Sequence, residues 1–153
     1  MMLHTPQRSL NCNNMGRICT NPHQSKQLID HGFSINAADL WWSEYVTFNH
    51  PSPTKMRIAE PVLYSYRNTE DDLPAWSLTT LLQALPGEIM WEDKRYVLHI
   101  TKAQEFYLIE YTGEQNSFIY KDGRDLIDIC VQVILHLINN NIPLNSSYIF
   151  DNI

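Results

Sequence analysis

Three stretches rich in β-branched and aromatic residues lie one after another in the C-terminal half of the chain, separated by short polar connections. They are RYVLHITK at 95–102, EFYLIEYT at 105–112 and SFIYK at 117–121, with the turn residues GEQN at 113–116. Because successive side chains of a strand point to opposite faces, two tight hairpins would collect one apolar set on a common face. That set is Tyr96, Leu98, Ile100, Tyr107, Ile109, Tyr111, Phe118 and Tyr120. The pattern predicts an antiparallel meander with one packed face.

One amphipathic helix is predicted before this meander in the sequence and another after it. Ser77 is a good N-cap, and behind it leucines recur at helical spacing at 78, 81, 82 and 85. Asp125 can cap a second helix over about 126–140, in which a single polar stripe interrupts apolar residues. Packing both helices on the apolar face of the sheet gives an α-β-β-β-α module over residues 73–153, which belongs to the α+β class.

The N-terminal part is predicted to be smaller and less regular. Residues 1–18 are polar and aperiodic and are interpreted as a flexible leader, whereas residues 19–72 are interpreted as a subdomain of helix and strand. The polar stretch RNTEDDLP at 67–74 is the predicted boundary. One compact domain over 19–153 is the alternative division.

Local signals place the elements of this subdomain. The residues NPHQ at 21–24 combine an N-cap, a proline at the first helical position and a capping-box glutamine. They predict a helix over about 22–31 that Gly32 ends, and its two large apolar residues are few enough to expect it on the surface. Strands are predicted for WWSEYVTF at 41–48 and VLYSY at 62–66, on either side of a proline-rich loop.

Composition and charge narrow the classes of function. The chain has 11 basic and 17 acidic residues, a formal charge of -6, and nucleic-acid binding depends on clustered Lys and Arg. Membrane contact is not expected either, because no stretch approaches the roughly 18 consecutive apolar residues of a membrane span. The start MMLHTPQRSLNCNN lacks the apolar run of a secretory signal, so we expect a cytoplasmic location.

Motifs for catalysis, cofactors and metals are missing from the sequence. It contains no HExxH, CxxC, GxSxG, GxGxxG or GxxxxGK pattern, and its three cysteines form an odd set. We therefore expect no cofactor, no metal and no catalytic residue, and the balance is against an enzyme. A hydrolase whose histidines and carboxylates converge from distant segments stays open as an alternative, because sequence cannot show such convergence.

The order of elements in the C-terminal module resembles the double-stranded-RNA-binding domain. That family concentrates basic residues at the start of its last helix, where this chain has the alternating charges Lys121-Asp122-Gly123-Arg124-Asp125. Phosphates would meet repulsion there as well as attraction. A nucleic-acid-associated regulator is thus an alternative that topology favours and charge opposes.

Surface residues without a structural explanation favour binding over catalysis. Adjacent tryptophans in a strand point to opposite faces, so one of them can reach a surface, and the second face of the meander is too apolar for water alone. The candidate interaction residues are Trp41, Trp42, His99, Phe106, Leu108, Glu110, Tyr148 and Phe150. The leading hypothesis is a non-enzymatic interaction or regulatory protein that contacts another protein or a second copy of itself as a homodimer.

Two stretches also carry a family resemblance. They are CTNPHQSKQLIDHGFSINAADLWW at 19–42 and LPAWSLTTLLQALP at 73–86. Their order resembles small proteins of gut-bacterial genomes, prophages and phages, in which a QSKxLIxxG helix precedes an ADL turn and a PAWSL helix. The resemblance covers Cys19 to about Ile142, and it implies an accessory role in a phage or mobile element with no assigned activity and no site residues.

Overall fold

A computed structural model describes residues 19–45, 55–58 and 73–145, with only the backbone for Trp41, 43–45 and 55–58. Its helices are α1 (Pro22–Asp30), α2 (Leu78–Ala84) and α3 (Leu126–Asn139), and a short 3-10 turn spans Ile35–Ala37. Its strands are β1 (Leu40–Tyr45), β2 (Lys55–Ile58), β3 (Leu73–Ala75), β4 (Glu88–Trp91), β5 (Lys94–Lys102), β6 (Tyr107–Thr112) and β7 (Ser117–Gly123). The α+β class predicted from the sequence is confirmed.

The larger sheet is an antiparallel meander in the order β4-β5-β6-β7. It contains the three predicted strands and a fourth, β4, that the sequence pattern did not reveal. A two-residue turn joins β4 to β5, and both of its residues, Glu92 and Asp93, have positive φ angles of 48° and 63°. Such a turn matches the right-handed twist of its strands, but it usually contains Asn-Gly or Asp-Gly. Because Glu-Asp is not a typical sequence for such a turn, the hairpin was not predicted.

The pairing of β5 with β6 follows the predicted register. Leu98 lies opposite Tyr111 and Ile100 opposite Ile109, so these residues share a face. The prediction is right for Phe118, whose ring contacts Tyr96 on the packed face, and wrong for Tyr120, because a bulge next to Tyr111 shifts the pairing by one residue. Ile119, which is only 1% exposed, lies opposite Tyr111, and Tyr120 is 57% exposed on the other face.

The main core lies between this sheet and the helices. α3 packs on β6 and β7, and α2 packs on α3. The fully or almost fully buried side chains include Leu81, Ile109, Tyr111, Ile119, Ile127, Ile134 and Leu137. The predicted polar stripe of α3 is Asp128, Gln132, His136 and Asn139; three of these residues are exposed, whereas His136 is half-buried and its ring contacts Phe118. The helices therefore cover one face of the sheet and bury most of its apolar side chains, although Ile100 on that face is 45% exposed.

A smaller antiparallel sheet in the order β2-β1-β3 organises the N-terminal part. Cys19, Leu40, Trp42 and Ala75 form its own small core. β3 lies at an edge, which is where a strand can hold a proline such as Pro74. The sequence interpretation placed this proline in a polar connection and placed β2 in a loop, so it missed both strands.

Hydrogen bonds join the two parts across the predicted boundary. The Thr20 amide donates to the Trp76 carbonyl at 3.0 Å, and the Trp76 amide donates to the Thr20 hydroxyl at 3.1 Å. In α1 the predicted capping box is present, and Gly32 ends the helix with a φ of 82°. The expectation of a surface helix is wrong in one respect, since α1 buries Gln24 and Ser25, and the Gln24 amide donates to Asp128 of α3.

Candidate functional site

The face of the larger sheet opposite the helices is the candidate site, and we call it the open face. Its members follow from the strand pairings, because directly opposed residues point to the same side. They are Glu88, Met90, Arg95, Val97, His99, Thr101, Leu108, Glu110, Thr112, Tyr120 and Asp122. Most antiparallel sheets that face water on one side are polar there, whereas this face mixes polar with apolar residues.

Two neighbouring rows of side chains cross the middle of the open face. His99 on β5, Glu110 on β6 and Tyr120 on β7 form one row. Side chains opposed in this way have Cβ atoms about 4.5–5.5 Å apart, close enough to act on a common ligand. The next row consists of Thr101, Leu108 and Asp122. The two rows offer an imidazole, two carboxylates, a phenol and an aliphatic side chain on one surface.

The charges of the open face are unevenly paired. Arg95 donates to Glu88 Oε2 from Nε at 2.9 Å and from Nη2 at 2.6 Å, and this hydrogen bond raises the pKa of the guanidinium. The charges of Arg95 and Glu88 therefore neutralise each other. Glu110 accepts a hydrogen bond from the Ser117 hydroxyl at 3.1 Å. Within the described segments, no basic side chain forms an ion pair with Glu110 or Asp122.

Apolar exposure is highest at the margins of the open face. Met90 on the first strand is 60% exposed and Tyr120 on the last strand is 57% exposed. Val97 and Leu108 are half-buried between them. At the end where β6 begins, Phe106 is 47% exposed, with the Arg124 guanidinium 5.7 Å from its ring centroid. Apolar side chains in these positions are available to a partner without rearrangement of the core.

A cavity of about 510 Å³ adjoins the open face at the other end, between the β4–β5 turn and the β6–β7 turn. It is lined by residues 93–97 and 112–116, so it shares Arg95, Val97 and Thr112 with the open face. The Thr112 hydroxyl is buried and has no hydrogen-bond partner among the described residues. A volume of this size lies in the range of small-ligand sites, and it extends the surface that a partner can contact.

The structure brings together some of the residues predicted to interact and separates others. His99, Leu108 and Glu110 lie on the open face as neighbours, and Phe106 lies just before β6. Trp42 is 2% exposed, and its indole Nε1–H donates to the Thr20 carbonyl at 2.9 Å, so it belongs to the small core. Only the backbone of Trp41 is described, and Tyr148 and Phe150, like the predicted strand 62–66, lie outside the described residues.

Four members of the open face were missed by sequence reasoning. Glu88 and Met90 depend on β4, which was not predicted, and Tyr120 and Asp122 depend on the shifted register of β7. Ile119, which an uninterrupted ladder would place on this face, is buried in the core instead. The sequence EIMW at 88–91 is one acidic residue followed by three apolar ones, so alternation gave no signal for β4.

A compact polar cluster elsewhere is explained by helix capping. The Asp39 carboxylate accepts hydrogen bonds from the Ser77 amide at 2.8 Å, from the Thr80 hydroxyl at 3.0 Å and from the Ser77 hydroxyl. Ser77 in turn caps α2 by accepting from the Thr80 amide. The cluster joins the 3-10 turn region to the start of α2, and it contains no histidine that would activate a serine.

The buried thiols are poor nucleophiles. Burial raises the pKa of Cys19 to about 12, with a smaller contribution from Asp39. Burial raises the pKa of Cys130 to about 12 as well, with a smaller contribution from Asp125. Both thiols are therefore protonated at neutral pH. Over the ranges 19–45, 55–58 and 73–145, the structure contains no group of three or more His, Cys, Asp or Glu side chains that could hold a metal ion.

None of the helices described is long and apolar enough to cross a membrane. The chain was also compared with protein-family models, with curated proteins and with solved structures. These comparisons found no significant match. The geometry of the open face is therefore the starting point for a functional assignment.

Proposed function

We propose that this protein is a non-enzymatic interaction module and that the open face binds a partner protein. The observation that carries the proposal is a four-stranded sheet whose helices pack on one side while its other side keeps exposed apolar residues, Met90 and Tyr120, beside polar rows. A mixed face of this kind is typical of interaction sites, where aromatic and aliphatic anchors lie among hydrogen-bonding groups.

The hydrolase alternative receives less support from the same surface. His99 and Glu110 are opposed across two strands, but their side chains do not form a hydrogen bond with each other. His99 is exposed, whereas a general base needs a nucleophile or substrate held against it in a site that excludes water. The row is better suited to binding than to proton transfer.

The proposal places this activity in the cytoplasm, in an accessory role for a phage or mobile element. Support for that setting comes from the sequence alone. It consists of the patterned stretches at 19–42 and 73–86, whose order resembles small proteins of gut-bacterial genomes, prophages and phages.

Site-specific photo-crosslinking in the organism that carries the gene tests the proposal. A photoreactive phenylalanine replaces Tyr120 or Met90 on the open face, and matched controls place it at the exposed helix positions Thr79 and Gln132. We expect a discrete protein adduct from the open-face positions and none from the helices. Adducts from the helices alone, or no adduct from either open-face position, would contradict the proposal.

A further inference from the structure

We infer that the partner presents a basic, extended segment to the open face, with positive side chains at alternate positions. This inference rests on the proposed function and specifies the chemistry of the partner. It depends on four open-face residues, Leu108, Glu110, Tyr120 and Asp122, which we call the central square.

Charged and apolar side chains alternate around the central square. Glu110 lies opposite Tyr120 and Leu108 lies opposite Asp122, so the carboxylates occupy one diagonal and the apolar side chains the other. Diagonal neighbours in a sheet are about 7–8 Å apart. Alternate residues of an extended peptide are separated by roughly 6.4–6.8 Å. Two basic side chains at positions i and i+2 can therefore each meet one carboxylate.

The apolar diagonal, Leu108 and Tyr120, offers a surface on which the aliphatic stems of the partner's basic side chains can pack. Lys and Arg have long aliphatic stems that pack on apolar surfaces while their charged ends stay at the water boundary. Tyr120 is 57% exposed, so its ring is accessible to a cation as well as to a stem. Leu108 is half-buried and gives the second stem a surface to cover.

The charges of the surroundings leave the two carboxylates for an external partner. Arg95, the one Arg or Lys among the open-face residues, is bound by Glu88. Arg124, beside the open face, lies 4.0 Å from Glu105 and 5.7 Å from the centroid of the Phe106 ring. Lys121 lies opposite Ile109 and Lys102 lies opposite Tyr107, so both alternate with open-face residues and point to the helix side of the sheet. Charge complementarity therefore favours a cationic segment.

Charge also decides between the possible occupants. A second copy docked face to face would bring the central squares of two chains together, each carrying two carboxylates, in a protein with a formal charge of -6. Phosphates of a nucleic acid would meet the same repulsion. A basic segment of another protein gains attraction where the other occupants meet repulsion.

Titration with defined peptides, followed by amide chemical shifts, tests the inference. The probe is acetyl-KTKTKTKT-amide, the spacing control is acetyl-KKTTKKTT-amide, and the charge control is acetyl-ETETETET-amide. We expect the probe to shift the amides of β6 and β7 at low ionic strength, and we expect 0.5 M salt to abolish the shifts. The spacing control should bind more weakly, and the acidic peptide should not bind.

Matched variants separate the specific effect from general charge. Replacing Glu110→Gln and Asp122→Asn should lower the affinity for the probe by about two- to fivefold for each lost ion pair. Replacing the exposed Glu92→Gln and Asp30→Asn removes the same charge away from the central square and should leave the affinity nearly unchanged. Circular dichroism checks that each variant keeps its fold.

The outcomes separate failure of this inference from failure of the proposed function. Equal binding of the acidic peptide, shifts confined to the helix side, or an unchanged affinity of the Glu110→Gln, Asp122→Asn variant would overturn the basic-segment inference. A crosslinked adduct at Tyr120 of twice the mass of this chain, or a nucleic acid that shifts the central square, would overturn it too. If a partner adduct forms at Tyr120 and the charge variant leaves its yield unchanged, the open face remains the binding surface. If the open-face positions give no adduct at all, the proposed function itself is contradicted, whatever the peptide titrations show.

Discussion

Replacing Thr112→Val should stabilise the protein, although it removes a polar group from the end of an inner strand. The Thr112 hydroxyl is buried and lacks a hydrogen-bond partner among the described residues, so folding takes it out of water without compensation. Valine has nearly the same shape and a higher strand propensity. The substitution therefore removes a cost of folding and leaves the packing intact.

The matched control is Thr80→Val, because the same chemical change there has the opposite environment. The Thr80 hydroxyl donates to the Asp39 carboxylate at 3.0 Å, and that carboxylate also holds the cap of α2. A buried unsatisfied polar group costs about 1–3 kcal/mol, and a hydrogen bond to a charged group contributes about 1.5–3 kcal/mol. Because Thr112 is half-buried, we expect about 1 kcal/mol of stabilisation there, against about 2 kcal/mol of destabilisation at Thr80.

Urea denaturation followed by tryptophan fluorescence measures both changes, since Trp42 and Trp76 are buried in the folded state. In a thermal scan with the same fluorescence signal, the expected change in Tm is an increase of about 2–4 °C for Thr112→Val and a decrease of about 4–8 °C for Thr80→Val. If Thr112→Val destabilises the protein as much as Thr80→Val does, the Thr112 hydroxyl is satisfied in solution and the reasoning is refuted.

Two further predictions concern stability. A Cβ atom on Gly113 would lie 2.9 Å from Cε1 of the buried Tyr96 ring, so Gly113→Ala should destabilise the protein by about 1–3 kcal/mol. The control is Gly87→Ala, because a Cβ atom there has nothing within 4 Å. It should be nearly neutral in the same urea assay. Burial, and then the nearby Lys121, lower the pKa of His136, so the folded state favours the neutral imidazole. Stability should then be constant above the ordinary histidine pKa near 6.5 and fall as the pH drops below it, and the urea midpoint of His136→Gln should depend less on pH between 7.5 and 5. An equal pH dependence in the variant would exclude His136 as the cause.

The sequence predicted the elements whose signals are local. The N-caps Asn21, Ser77 and Asp125 each accept the expected backbone hydrogen bonds, and the helices begin where these caps place them. β5 and β6 were predictable because alternation of apolar residues and a compact turn agree with each other. These features need no knowledge of distant contacts.

The missed elements depend on contacts that no local signal encodes. β4 is held by its hairpin with β5 through an unusual turn, and β3 exists because Leu73–Ala75 pairs with β1. The same reason explains the partial success at the candidate site. His99, Leu108 and Glu110 were found by alternation, whereas Met90 and Tyr120 became members of the open face through long-range pairing.

The burial of Trp42 shows a second limit of prediction from the sequence. Adjacent tryptophans predicted that one could reach a surface, and sequence alone could not say which. The Thr20 carbonyl, 22 residues earlier, provides the hydrogen-bond acceptor that a buried indole needs. Burial of Trp42 was thus decided by a residue outside its own strand.

The bulge in β7 also has an evolutionary consequence. Phe118 is the extra residue, and its ring packs against Trp91, Tyr96 and His136 on the helix side. Because of it, Ile119 and Tyr120 occupy faces opposite to those that an uninterrupted ladder would give them. Loss of the Phe118 codon would leave a regular ladder in which Ile119 still lies opposite Tyr111 and Tyr120 opposite Glu110, so the aromatic contacts alone would be lost. Selection on this segment should therefore act on the aromatic ring of Phe118 more than on the length of the strand.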